Sequence, residues 1–230
     1  MSTVKCYACN ANQTSTEHVP PRCLFPEKKD LPAGVDLRKQ LITVPSCDAH
    51  NSAKSHDDEY LLFALVMNLP NNIVGANHFL AKVMRAITKN PRKIQRFTNT
   101  TVPVLVRDEA TGKIERTIAV KVEFQRLKRS LAMIGRAIYF HHFRQRWEGK
   151  MSVHPHFTLA LTEPNAKGLN DALYGLATAS EENFKTEQRY GENQEVFFYQ
   201  VATCDEISGA IMLLHFYEGA RVTILFGENG

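Results

Sequence analysis

Cys6-Tyr-Ala-Cys9 and Cys47-Asp-Ala-His50 are the two stretches that decide how this chain folds near its N-terminus. Each stretch carries two metal-ligand residues separated by two others, so both side chains of a pair can reach one ion from a tight turn or a helix start. Structural zinc prefers four soft or borderline ligands in a tetrahedron, usually delivered as two short-spaced pairs. The spacing therefore predicts one structural zinc ion on Cys6, Cys9, Cys47 and His50.

Cys6 and Cys9 have alternative interpretations as a redox dithiol, as a disulfide, or as cysteines that lie close by chance. A redox dithiol normally follows a strand in a β-α-β unit, whereas Cys9 is followed by the polar residues Asn-Ala-Asn-Gln-Thr-Ser-Thr. The remaining cysteines, Cys23 and Cys204, fit no ligand spacing. The N-terminal segment is also poor in large apolar side chains, and zinc would supply stability on the order of 10 kcal/mol that a small core lacks.

Glu17-His18-Val19-Pro20-Pro21 lies between the two ligand pairs and carries groups suited to phosphodiester hydrolysis. That reaction needs a base for the attacking water and a cation to stabilise charge on the phosphate. His18 suits the base because its unperturbed pKa of about 6.5 leaves it mostly neutral at cellular pH. Glu17 and Asn51 offer oxygen ligands for Mg²⁺ or Mn²⁺. In an extended segment Glu17 and His18 point to opposite faces, so one can hold metal while the other faces water.

These residues together resemble the HNH (ββα-metal) endonuclease family. That motif consists of a strand carrying Asp/His-His-x-x-Pro, a second strand, and a helix that opens with Cys-x-x-Cys-[His/Asn]-x-x-Lys. Residues 17–21 match the first part, residues 41–44 supply an apolar second strand, and residues 47–54 match the helix. The resemblance implies that His18 is the general base and that Glu17 and Asn51 hold one catalytic cation, Mg²⁺ or Mn²⁺. It also implies that Lys54 lies near the phosphate or supports the helix.

The match departs from the family motif at two positions. Glu17 stands where family members more often have Asp or His, and His50 is a zinc ligand where Cys is usual. No residue is assigned to the middle Asn of the motif, although Gln40 lies near its place. Asn51 has an alternative role as a helix N-cap, which Asn favours. His56, one turn further on, is interpreted as a solvated residue of the helix surface.

The remainder of the chain predicts a mixed body. Apolar periodicity and alternation predict helices over residues 57–67, 79–87 and 127–147, a hairpin over 102–107 and 113–124, and strands near 195–202, 210–217 and 221–226. The predicted fold class is α+β, with a small zinc-stapled ββα-metal (HNH) module over residues 1–60 and a helical and antiparallel-β body over residues 61–230. The chain has no apolar run of membrane-spanning length and no secretory signal, which predicts a cytoplasmic protein without membrane contact.

Charge is distributed unevenly along the chain. Residues 82–150 contain seventeen Lys or Arg against five Asp or Glu, a net charge of +12, whereas residues 151–230 contain four against eleven, a net charge of −7. Basic surfaces attract phosphate backbones, so the middle segment predicts contact with nucleic acid, DNA rather than RNA. The predicted contact residues are Lys82, Arg85, Lys89, Arg92, Lys93, Arg96, Arg126 and Arg129. The alternatives are a solvated face, or a patch paired with the acidic segment within one molecule or a homodimer.

Three functions follow from these features. The leading hypothesis is a metal-dependent endonuclease that hydrolyses DNA, with His18 activating water. The second is a non-catalytic zinc-stapled module that only binds nucleic acid. The third is a nuclease effector that a protein partner, recognised by the body of the chain, switches on.

Overall fold

The computed structural model describes residues 4–51, 55–90, 101–107, 111–204 and 209–227. Helices and strands alternate irregularly along these ranges, which confirms the predicted α+β class. In chain order they are β1 (Ser15–His18), β2 (Thr43–Ser46), α1 (Asp48–Asn51), α2 (Ser55–Val66), α3 (Ile73–His78), α4 (Met84–Lys89), β3 (Thr101–Arg107), β4 (Ile114–Val120), α5 (Phe124–Phe143), β5 (Lys150–Pro155), α6 (Ala166–Phe184), β6 (Phe197–Cys204), β7 (Gly209–Phe216) and β8 (Ala220–Gly227). A π-helical turn, Phe79–Val83, joins α3 to α4.

The first two strands pair with each other in an antiparallel hairpin that leads directly into α1. Ser15 lies opposite Ser46, and Glu17 lies opposite Val44. Side chains of directly paired residues share a face, and residues two apart on a strand do so as well. Ser15, Glu17 and Ser46 therefore point to the same side of the hairpin.

Helix α2 connects this hairpin region to the rest of the core. Every residue from Tyr60 to Val66 is buried, which is the behaviour of a helix that is apolar on all sides. It packs against α5 and against the short 3₁₀ turn Arg22–Leu24. The division of the chain into segments 1–60 and 61–230 remains a prediction; α2 crosses the boundary, and buried residues from both segments belong to one hydrophobic core.

The body is built on a four-stranded antiparallel sheet with the order β5-β8-β7-β6. Thr223 on β8 meets Ser180 of α6, with 2.8 Å between the two hydroxyl oxygens. The next residue, Ile224, faces Gly135 of α5 so closely that a Cβ atom at Gly135 would lie 2.5 Å from its Cδ1. Because successive strand residues point to opposite faces, α5 and α6 cover opposite sides of the sheet.

The predicted strands near residues 195–202, 210–217 and 221–226 are present. The predicted hairpin is present as β3 paired with β4, but its second strand ends at Val120, and the predicted strand end at Phe124 is instead the start of α5. The helix predicted over residues 127–147 instead spans Phe124–Phe143, because Arg144 adopts a left-handed conformation with φ of 58°. Helix α6 and strand β5 were not predicted. Among the helices within the described ranges, none combines the length and the apolar character that crossing a bilayer requires.

Substitution of Leu131 tests whether the packing of α5 stabilises the protein. Its side chain is fully buried, so Leu131→Ala should lower the free energy of unfolding by about 2–5 kcal/mol through lost burial and an unfilled cavity. The matched control is Leu105→Ala, at a side chain that is 72% exposed, which should change stability by less than about 0.5 kcal/mol. Chemical denaturation measures both, and equal losses would contradict the packing described here.

Candidate functional site

Cys6, Cys9, Cys47 and His50 lie together, with their ligand atoms all within 4.8 Å of one another. The Cys9 and Cys47 sulfurs are 3.7 Å apart, the Cys6 sulfur is 3.7 Å from Nδ1 of His50, and the Cys47 sulfur is 3.2 Å from the same nitrogen. A tetrahedral ion with zinc–sulfur bonds of about 2.3 Å would hold two sulfur ligands about 3.8 Å apart. The donor set and its spacing therefore fit a zinc ion, in agreement with the predicted ligands.

Backbone hydrogen bonds hold the cluster in place. The Tyr7 amide donates to the carbonyl of Pro45 on β2 at 2.9 Å, which ties the Cys6–Cys9 turn to the hairpin. The Ala8 amide donates to the Cys6 sulfur at 3.4 Å. Burial raises the pKa of the Cys6 thiol, but hydrogen bonds from neighbouring backbone amides, that of Ala8 foremost, outweigh it and lower the pKa. These donors favour the thiolate, which is the form that binds metal.

Glu17 is a buried carboxylate held by a neighbouring hydroxyl group. Its side chain accepts a hydrogen bond from Oγ of Ser46 at 3.2 Å. Tyr7 is fully buried, and burial, followed by the charge of Glu17, raises its pKa well above the usual range. The phenol therefore stays protonated. The charge of Glu17 acts on Tyr7, which places the Cys6–Cys9 turn near the first candidate catalytic residue.

His18 ends β1 and is only partly buried. Burial lowers the pKa of its imidazole, and the nearby positive charge of Arg22 lowers it further, below the ordinary value of 6.5. The side chain is consequently neutral near pH 7 and can accept a proton. Arg22 itself is exposed to solvent.

Asn51 is the last residue of α1, on the same side of the hairpin as Glu17. Its side-chain amide donates to the Ser15 hydroxyl at 3.0 Å, so its NH₂ group is engaged by β1 and its oxygen remains as the atom that can bind a cation. Ser15 pairs with Ser46, which in turn bonds Glu17. Joint metal binding by Glu17 and Asn51 remains a prediction. Lys54 lies outside the described residues.

Of the predicted nucleic-acid contacts, three are engaged inside the molecule. Arg85 makes a two-point ion pair with Asp30 at 2.9 and 2.6 Å. Lys82 donates to the Cys23 carbonyl at 3.3 Å. Arg126 pairs with Asp57 at 2.6 Å and lies over the ring of Tyr60. Lys89 and Arg129 are exposed, and Arg92, Lys93 and Arg96 lie outside the described residues. DNA contact by any member of this set remains a prediction.

Three residues around the site were missed from sequence. Tyr7 lies between two zinc-ligand candidates, Ser46 directly precedes a third, and Arg22 follows His18 by four residues. Their proximity along the sequence was an available signal. Their roles, however, depend on the pairing of β1 with β2, which the sequence pattern alone did not specify in register.

Comparison of the chain with protein-family models, with curated proteins and with solved structures gives no match. Function is therefore inferred from the residues of the site and their geometry.

Zinc binding is tested by metal content. Purified protein should contain one zinc ion per chain, and Cys47→Ser should lose it, because removing one of four tetrahedral ligands opens the site. Cys23→Ser is the matched control. Cys23 is a free cysteine outside the cluster, and burial raises its pKa to about 12. Elemental analysis of the three proteins gives the answer, and zinc-free wild type would refute the assignment.

Proposed function

We propose that this protein is a metal-dependent endonuclease of the HNH type that hydrolyses phosphodiester bonds in DNA. The single observation that supports this best is the position of Glu17 and His18. They lie at the end of a strand that pairs with β2, beside the helix that carries Asn51, and next to a four-residue cluster suited to zinc. The order of first strand, second strand and helix along the chain is the order that the sequence motif has, which supports the proposal.

In this proposal His18 activates the attacking water. Its lowered pKa keeps the imidazole neutral, so a ring nitrogen takes the proton as the water oxygen bonds to phosphorus. The bond between phosphorus and the 3′ oxygen then breaks, and the 3′ oxygen takes a proton from solvent water, which leaves a 5′-phosphate and a 3′-hydroxyl.

Glu17 and Asn51 would hold the catalytic cation, Mg²⁺ or Mn²⁺, through a carboxylate and an amide oxygen. When bound, that cation supplies positive charge to the phosphate and to the leaving oxygen. The hydroxyl of Ser46 would orient the carboxylate, and the Ser15 hydroxyl would orient the amide. Hydrogen-bond partners of this kind tune metal ligands in proteins.

Exposed basic side chains would contact the DNA backbone. The charge of Arg22 acts on His18, and in this proposal Arg22 would bind the phosphate being cleaved. Lys89 and Arg129 are exposed further away and would add sequence-independent attraction. Lys82, Arg85 and Arg126 have intramolecular partners, and the proposal assigns them no role in cleavage.

A plasmid-nicking assay tests the catalytic role of His18. With Mg²⁺ or Mn²⁺ the wild type should cleave and EDTA should stop it, whereas His18→Ala should be slower by about 10²–10⁴-fold because the general base is missing. His141→Ala, in the body on α5, is the matched control and should cleave normally. Zinc content measured on each preparation shows whether the fold is intact.

Other outcomes of the same assay point to the alternative functions. A wild type that binds DNA and retains zinc but does not cleave DNA with any divalent cation would replace the proposal with a non-catalytic binding module. Cleavage that requires a copurifying protein would support the partner-activated effector.

The pH dependence of cleavage tests the influence of Arg22. Cleavage needs neutral His18, so the rate should fall as the pH drops through its pKa, with a midpoint below 6.5 because burial and Arg22 lower that pKa. Arg22→Gln removes one of the two causes and should move the midpoint to higher pH. Lys28→Gln, at another exposed basic residue of the same loop, should leave it unchanged. Identical acid limbs for all three proteins would contradict this assignment.

A further inference from the structure

A cavity of about 240 Å³ lies between helix α3 and the loop that follows the 3₁₀ turn Lys28–Asp30. Its walls are largely apolar, with side chains from both the loop and the helix: Leu31, Val35, Leu37, Ile73 and Val74. Sites for drug-sized ligands typically enclose roughly 300–1,000 Å³. A molecule that occupies this cavity must therefore be small and mostly apolar.

His78, the last residue of α3, lines the cavity and is 1% exposed, so it lies at the base. Its Nδ1 atom is 3.1 Å from the phenol oxygen of Tyr217, and that phenol donates its own proton to the Leu24 carbonyl. Nδ1 is therefore the nitrogen that carries the ring proton, and Nε2 is left as an acceptor. Among the described residues, Nε2 has no hydrogen-bond partner. A buried acceptor without a donor is costly, so a ligand that supplies a donor would remove that cost.

The charges that act on His78 favour an uncharged ligand. Burial, followed by the positive charges of Lys82 and Arg38, lowers the pKa of its imidazole to about 4. The ring is consequently neutral near pH 7 and remains an acceptor. The same two cations would repel a positively charged group brought up to Nε2.

Two carboxylates also line the cavity, and neither favours a cationic ligand strongly. The side chain of Asp30 is 7% exposed, and both of its oxygens accept hydrogen bonds from Arg85, which neutralises its charge. Glu195 is exposed to solvent, where water and salt screen its charge. The acceptor at the base is therefore the group that selects the ligand.

We propose that this cavity binds a small, uncharged and mostly apolar molecule that carries one N–H or O–H group, and that this group donates a hydrogen bond to Nε2 of His78. The apolar walls hold the body of the ligand, and the single acceptor fixes its orientation. Among the described residues that line the cavity, neither Glu17 nor His18 is present. The binding can be measured without cleavage, so it does not depend on the proposed nuclease function.

Indole and benzofuran are suitable probes because they have nearly the same shape, and only indole has an N–H donor. Indole should bind the wild type saturably, and benzofuran should bind about 2–12-fold more weakly, which is the effect of one net hydrogen bond. Titrations followed by the amide resonances of the full chain measure both affinities. The nitrogen-15 resonance of His78 Nε2 should shift when indole is added and should shift less with benzofuran.

Two variants locate the site, and a third is their control. His78→Asn keeps a side-chain amide near the position of Nδ1 and removes Nε2, so it should bind the two probes with equal affinity. Val35→Phe fills the cavity from the loop and should abolish the binding of both. Val102→Phe, at an exposed residue of β3, should bind both probes as the wild type does.

The inference is overturned if the wild type shows no saturable binding of indole, or if it binds indole and benzofuran equally. Both results come from the wild type, so they count even if His78→Asn does not fold. It is also overturned if His78→Asn folds and still prefers indole, or if Val35→Phe binds indole as tightly as the wild type. A protein that cleaves no DNA but binds indole with the expected preference would refute the proposed function and support the cavity site.

Discussion

Closure of the chain between the Cys6–Cys9 turn and the start of α1 is the constraint on which the rest of the site depends. The segment from Asn10 to Ser46 leaves and returns to this point, and within it only short strands and 3₁₀ turns are regular. Bringing the ends of such a loop together costs conformational entropy. A metal bound at the cluster offsets that cost only in the folded state, and so stabilises the hairpin that carries Glu17 and His18.

In the basic segment, residues 82–150, the net charge overestimates the number of cationic side chains that are available to bind nucleic acid. Arg126 is 13% exposed, pairs with Asp57 and Glu123, and covers the ring of Tyr60. It joins the first turn of α5 to α2 rather than facing solvent. Arg85, whose side chain is 46% exposed, also pairs with Asp30 and so joins α4 to the 3₁₀ turn Lys28–Asp30. Some of the basic side chains of residues 82–150 therefore form ion pairs within the protein, and only the others are available to contact a phosphate backbone.

Local patterns predicted the parts of the molecule in which function depends on spacing. The two ligand pairs, the strand ending at His18 and the helix starting near Cys47 follow from residue types a few positions apart, and the structure brings the four predicted zinc ligands together. Alternation and turn residues also located three strands of the body sheet. These patterns involve residues close together in sequence, so they can be recognised without knowledge of the tertiary fold.

The features that were missed depend on contacts between distant segments. The hydrogen bond from Ser46 to Glu17 requires the register of β1 on β2, and the position of Tyr7 requires the anchoring of its turn by Pro45. Helix α6 lacks a clean apolar stripe because Leu169 and Tyr174 are exposed, while polar Ser180 faces the sheet. A pattern that equates apolar with buried cannot recognise such a helix.

Helix α2 has a consequence for anyone who wishes to move this site to another protein. From Tyr60 to Val66 its side chains are covered on all sides, in part by α5. A fragment cut after this helix would present those side chains to water, and each large one would forfeit roughly 1.5–3 kcal/mol of burial. A portable version of the site therefore has to bring α5 with it, or replace the outward half of α2 with polar residues.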